Sequence, residues 1–109
     1  MLVFKSVEMM IIAILTVRKD AQQKFRAFER HAASVMKSHG GRIERTMMVA
    51  PEGESDVFKE VHVLSFPSAR AFNAYRNDER LAQMAHLRDE SVVDTQLLIG
   101  EAGPSYDAD

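Results

Sequence analysis

The stretch KEVHVLSFPSARAF, Lys59–Phe72, decides how the chain folds. Val, Leu and Phe dominate its first half, as in a strand running from Val57 to Phe66. Pro67 cannot donate to a sheet ladder and ends that strand. Ser68 is a good N-cap, so a helix follows at once, with Phe72 and Tyr75 turned inward. Working outward, RIERTMMVA (Arg42–Ala50) sets Ile43, Arg45, Met47 and Val49 against Arg42, Glu44, Thr46 and Met48. That alternation predicts a strand with one better-buried face, joined as a hairpin to Val57–Phe66 through the solvent loop Pro51–Asp56.

Further upstream, MMIIAILTV (Met9–Val17) is an unbroken aliphatic run, the pattern of a strand buried on both faces. Asp20 stands three residues before Gln23, the spacing of a capping box, and opens a helix expected over Ala21–Ser38. Phe25, Phe28, Ala32, Val35 and Met36 form its inward stripe, while Lys24, Arg26, Glu29, Arg30 and Lys37 lie mostly elsewhere. Gly40-Gly41 closes it, with Lys37 and His39 near the negative end of its dipole. Downstream, Asn77 or Asp78 re-caps a second helical piece bearing Leu81, Met84 and Leu87, and Val92–Ile99 is the last strand. Residues 1–8 are expected to be a leader, 9–101 one domain, and 102–109 a polar tail.

The order βαββαβ predicts an α+β domain: a four-stranded antiparallel sheet with both helices on one face, the ferredoxin-like arrangement. Two helices cover only one side, yet the strands are apolar on both parities. An uncovered face of this kind is one that soluble monomers rarely show. A homodimer through the sheet face is the expected remedy, because a twofold axis reuses the same surface and closes it. Alternation puts Glu60 and His62 on one face with Phe58, Leu64 and Phe66. Were that the face between the sheets, the pair would line a chamber inside the dimer.

Composition excludes several classes. The 109 residues are 46% hydrophobic and 28% charged, ordinary for one globular domain. No cysteine is present, so disulfides, thiolate metal sites and thiol nucleophiles are ruled out. The apolar run is far short of a membrane span, which needs ~20 residues, and no signal-peptide cleavage pattern follows it; a cytoplasmic location is expected. Residues 1–50 carry nine Lys/Arg against four Asp/Glu, and residues 51–109 five against twelve. The basic residues are spaced as on a solvated helix face. RNA-recognition modules share this element order but need aromatics on the third strand; here Val61 and Val63 stand in their place, and Glu60 would repel phosphate. No nucleic-acid partner is expected.

GGRIERTMMV, FKEVHVLSFPSARAFNAYRNDERLAQMAHLRD and TQLLIGE together resemble the dimeric α/β-barrel superfamily over Met10–Glu101. The nearest branch is one of small bacterial proteins of unknown function related to antibiotic-biosynthesis-monooxygenase-like domains. The resemblance implies a dimeric barrel that binds or transforms a small molecule by cofactor-free chemistry. The chain lacks the Trp used by haem-degrading and some quinone-forming members, and carries Tyr75 where related helices often have His.

Glu60, His62 and Tyr75 are the candidate catalytic groups. A carboxylate and an imidazole in an apolar chamber suit general acid/base work, and a phenol at the mouth suits an enolate. Arg76, Phe66 and Phe72 are the candidate substrate-binding residues. The structural alternative pairs Glu60 with Arg42 or Arg45 and makes His62 an interface residue; the protein is then a non-catalytic structural or regulatory dimer. The four histidines lack metal-ligand spacing, so neither a metal nor another cofactor is expected, with His31 and His86 at solvated or helix-flank positions. Met47, Met48 and Met84 are expected in the core.

Overall fold

The computed structural model describes residues 7–51 and 53–107. Four strands, β1 (Met9–Arg18), β2 (Arg42–Val49), β3 (Val57–Phe66) and β4 (Val92–Glu101), form one antiparallel sheet in the order β2-β3-β1-β4. Helix α1 (Gln22–Ser38) joins β1 to β2, and three short helices, α2 (Ala69–Arg76), α3 (Glu79–Ala82) and α4 (Ala85–Ser91), join β3 to β4. This is the expected ferredoxin-like α+β fold. Of the expected leader, residues 1–6 lie outside the described residues, as do residues 108–109 of the tail; residues 102–107 form neither helix nor strand.

The core lies between the sheet and the helices. Ile11, Ala13, Leu15 and Val17 of β1 are buried on one face, and the α1 stripe of Phe25, Phe28, Ala32, Val35 and Met36 packs on that side. Cross-strand register places Leu15 beside Glu60 and Ala13 beside His62, so both polar residues of β3 point toward the helices. The opposite face carries Ile12 and Ile14 of β1, Val61 and Val63 of β3, Met47 of β2 and Leu98 of β4. No helix of the described residues covers it.

Several expectations are corrected here. The capping box does not form: β1 runs into a 3-10 turn at Lys19–Ala21, pinned by the Lys19 amide donating to the Asp56 carbonyl at 2.9 Å, and α1 starts at Gln22 with Ala21 as an uncapped N-cap. The strict alternation of β2 is broken by a bulge between Ile43 and Arg45. Ile43 consequently sits with Leu64 on the helix side, Arg45 with Val63 on the open side, and Met48 with Glu60 on the helix side again. Met47 and Met48 are not core; they are 57% and 61% exposed, Met47 because it is on the open face and Met48 because β2 is an edge strand that α1 barely covers. The second helical segment is re-capped at Asp78, whose carboxylate accepts from the Arg80 amide, and breaks again before Ala85.

Helix α1 ends as its glycines require. Gly40 has φ of 78°, and the amides of Gly40 and Gly41 donate to the carbonyls of Lys37 and Met36, a Schellman closure. Gly41 has a second constraint: a Cβ there would fall 2.3 Å from the Phe66 ring. Phe66 in turn packs against Phe72 and Tyr75, with ring centroids 5.2 and 5.3 Å away. Gly41→Ala is therefore expected to destabilise the domain by about 1–3 kcal/mol, as overpacking of a rigid core does. Urea unfolding should show the loss, and an unchanged midpoint would mean that the ring moves aside freely.

Candidate functional site

A cavity of about 560 Å³ opens between the helix-side face of the sheet and the α2–α3–α4 segment. Its floor is apolar, with Ile11, Ala13, Leu15, Leu64 and Leu97 from the strands. Phe28 and Met36 of α1 and Phe72 of α2 close the sides. The exposed lining residues Arg76, Asn77, Glu79 and Ala82 mark the rim. The size and lining suit a small, mostly apolar molecule. It lies within the one chain, on the far side of the sheet from the open face. The expected chamber between the two sheets is thus corrected: the strand parity that carries Glu60 and His62 faces α1.

The polar groups form one connected chain. His62 is buried against the Phe25 ring, and its Nε2 donates to Oε1 of Glu60 at 2.9 Å. The other Glu60 oxygen accepts from the Arg26 guanidinium, which also leans on Met48 and lies over the Phe25 ring. Arg26, one turn into α1, therefore takes the part expected of Arg42 or Arg45. Arg45 is on the open face beside Val63, and Arg42 bonds Glu44 at 2.8 Å. Burial alone would raise the Glu60 pKa, but the hydrogen bonds from His62 and Arg26 prevail and hold it below the ordinary value.

With Nε2–H committed to Glu60, Nδ1 of His62 faces Oε2 of Glu29 at 3.6 Å. Glu29 lines the cavity, and burial raises its pKa, reinforced by the nearby Glu60 charge and opposed by His62, Arg88 and Arg26. Tyr75 also lines the cavity, half-buried, and burial followed by the Glu29 charge pushes its hydroxyl well above the usual phenol range. Across from Glu29, Arg88 of α4 donates to the Thr95 hydroxyl of β4, and both residues line the cavity.

The predicted site residues are distributed as follows. His62, Tyr75, Phe72 and Arg76 all line the cavity, Arg76 with its guanidinium 5.2 Å from the Phe72 ring centroid. Glu60 stands behind His62, off the cavity wall. Phe66 is 1% exposed and belongs to the core beneath Phe72 and Tyr75. Glu29, Arg26, Arg88 and Thr95 were not singled out by the sequence. Glu29 had a signal: it lies four residues after Phe25 and three before Ala32, a lone carboxylate inside the apolar stripe.

At the rim, Asp78 anchors α3 to the end of α1. Its carboxylate pairs with His39 at 2.7 Å and with Arg80 at 2.8 Å, and these contacts hold its pKa well below the ordinary value, the Arg80 hydrogen bond most strongly. Arg80 also donates to Ser38, and its carbonyl accepts from His31 at 2.7 Å. His31 is therefore a tether between α1 and α3, whereas His86 is exposed.

Residues 10–102 match the family described as a domain of unknown function, DUF1330. The chain belongs to the DUF1330 family. Solved structures share the fold of this DUF1330 protein. A protein of unknown function from Rhodopseudomonas palustris aligns with a TM-score of 0.74 at 18% identity, over 93% of this chain and 86% of its own. A cofactor-independent oxygenase from Streptomyces nogalater aligns at 0.66 and 13% identity, over 94% of this chain and 100% of its own. A Nitrosomonas europaea protein provisionally named an antibiotic biosynthesis monooxygenase gives 0.66 and 13%, over 93% of this chain and 95% of its own. These likenesses establish the ferredoxin-like fold of the DUF1330 chain. No curated protein matches it in sequence. No helix among its described residues is long and apolar enough to cross a membrane.

Proposed function

We propose that the protein binds a small, largely apolar, oxygen-bearing molecule in this cavity and removes a proton from it, with Glu29 as the base. The observation that carries the reading is the position of Glu29: its carboxylate is on the wall of an apolar cavity, 3.6 Å from a His62 ring that Glu60 orients from behind. A carboxylate destabilised by burial is a stronger base than one in water. When Glu29 accepts a proton, the neighbouring imidazole passes or shares it without leaving the ring plane that Glu60 fixes. Tyr75, a neutral phenol at any working pH, donates a hydrogen bond to the oxygen that gains charge. The fold is shared with a cofactor-independent oxygenase, which is compatible with chemistry done by side chains alone.

The functional unit is a homodimer joined through the open sheet face, which leaves both cavities pointing outward. A non-catalytic binding module would keep the cavity but show no proton removal.

Deuterium exchange at the α-carbon of 2-tetralone in D2O tests the chemistry. The protein is expected to accelerate exchange saturably, and Glu29→Gln to reduce the rate by about 10²-fold or more. Saturable binding without exchange would overturn the proton removal and leave the non-catalytic module; absence of both would overturn the reading of the cavity as a binding site as well. The same variant has a stability signature. A raised folded-state pKa means that ionising Glu29 penalises the fold as pH rises above its ordinary value of 4.5. Glu29→Gln removes that penalty, so the variant should be more stable than wild type at neutral pH and gain nothing below 4.5. Thermal unfolding across that range shows the crossover, the mark of a residue kept at the expense of stability.

A further inference from the structure

The charged groups of the cavity are not equally occupied. Asp78 is satisfied by His39 and Arg80, and Arg76 lies at the exposed rim over Phe72. Arg88 is half-buried, lines the cavity, and makes no ion pair among the described residues. Its one polar side-chain partner there is the neutral Thr95 hydroxyl. A guanidinium offers five N–H donors, and one suffices for Thr95. Thr95, accepting from Arg88 through its oxygen, keeps its own O–H free to donate. Partly burying a cation without an anion is costly, and a protein gains by it only when an anion arrives. Glu29 does not serve: it feels the Arg88 charge but is beyond ion-pair distance, and burial favours its neutral form.

We infer that Arg88 and Thr95 form an anion subsite, and that the ligand is a small apolar carboxylic acid whose carboxylate docks on them while its acidic O–H or C–H faces Glu29. This rests on the acid/base reading of the cavity and narrows its substrate class. The planar guanidinium fork matches a carboxylate with two parallel hydrogen bonds, and Thr95 adds a third donor from the strand side. The floor beneath, Leu15 and Leu97 among it, accepts the hydrocarbon body. The arrangement also sets direction: with the carboxylate fixed at the β4 side, the reactive end of the molecule lies toward α1, where Glu29 and His62 are.

Binding of 2-naphthoate and of its neutral isostere 2-acetylnaphthalene, by calorimetry at pH 7, tests this. Wild type is expected to prefer the carboxylate by about tenfold or more, the worth of a charge-assisted hydrogen bond. Arg88→Met, which keeps the apolar stem, should abolish that preference while the ketone binds as before, so retained ketone binding reports an intact cavity. Thr95→Val should reduce the preference without abolishing it. Equal affinity for the two compounds in wild type, or a preference that survives Arg88→Met, overturns the anion subsite alone. Failure of both compounds to bind overturns it together with the functional reading beneath it.

Discussion

Glu60→Ala is expected to lower the stability of the domain by about 3 kcal/mol or more, enough to shift its thermal midpoint by more than about 10 °C. The side chain accepts from two donors of different standing. The His62 side chain is 5% exposed, so without Glu60 its Nε2–H is left in a site that water does not reach. Arg26 is 34% exposed and can swing toward solvent, which is why the estimate sits at the low end of what a broken buried ion pair costs. Two further variants separate charge from shape. Glu60→Gln keeps an acceptor for His62 and should lose less than Ala. The double variant Glu60→Leu, His62→Leu removes both partners of the buried bond, and should recover much of the loss by packing on Phe25. Urea unfolding of the set checks the order; a Glu60→Ala protein as stable as wild type would remove Glu60 from any orienting role.

The pH dependence follows from the same pair. Because the folded-state pKa of Glu60 is depressed, its contribution is present above the ordinary value near 4.5 and is lost as pH falls through the lower folded value. The gap between wild type and Glu60→Gln should therefore close in acid. Glu29 runs the other way, its penalty growing as pH rises through 4.5. Two glutamates on either side of one imidazole are thus pushed apart, the inner one fixed as an anion by Arg26 and the outer one free to exchange its proton with whatever fills the cavity. That division of labour is the physical basis for naming Glu29 the base and Glu60 the positioning residue.

The order of strands and helices was legible because it rests on local signals: Pro67 and Ser68 at one junction, Gly40-Gly41 at another, and period-two or period-3.6 apolar spacing between them. The face occupied by Glu60 and His62 was not. Both parities of β1 and β3 are apolar, so alternation alone cannot say which side the helices take; that depends on the crossover connections, which strand composition does not record. The partner of Glu60 is Arg26 rather than the expected Arg42 or Arg45 for a related reason. A strand neighbour such as Arg45 looks adjacent in a flat ladder, but the bulge after Ile43 turns it to the other face. Glu29 reads as solvated in the sequence because a charged residue on a helix is so by default. Its exception lay in its place within the stripe, and Arg88 and Thr95 meet only once α4 and β4 are packed.

The proposed homodimer is expected to fall to single subunits on the substitution Ile12→Asp. Ile12 lies at the centre of the open face, paired with Val63 on one side and Leu98 on the other, and Ile14, Val61 and Met47 continue the apolar surface around it. With strands about 4.8 Å apart and a rise of about 3.3 Å per residue, four strands of some eight residues give a footprint near 500 Å². That is at the upper end of what monomers expose, and a twofold axis through it brings each copy of residue 12 close to its mate or to the mate's neighbours. One substitution thus places two carboxylates close together in a largely apolar seam. Light scattering on wild type and variant at tens of micromolar decides the matter, and a wild-type mass of one subunit would overturn the dimer outright. The cavity gives an independent readout: because Glu29, His62 and Arg88 all lie on the helix side of the sheet, a folded single-subunit variant should still bind 2-naphthoate. Loss of binding in that variant would mean that the second copy shapes the cavity through the sheet, by restraining strands β1 and β3 whose opposite faces form its floor.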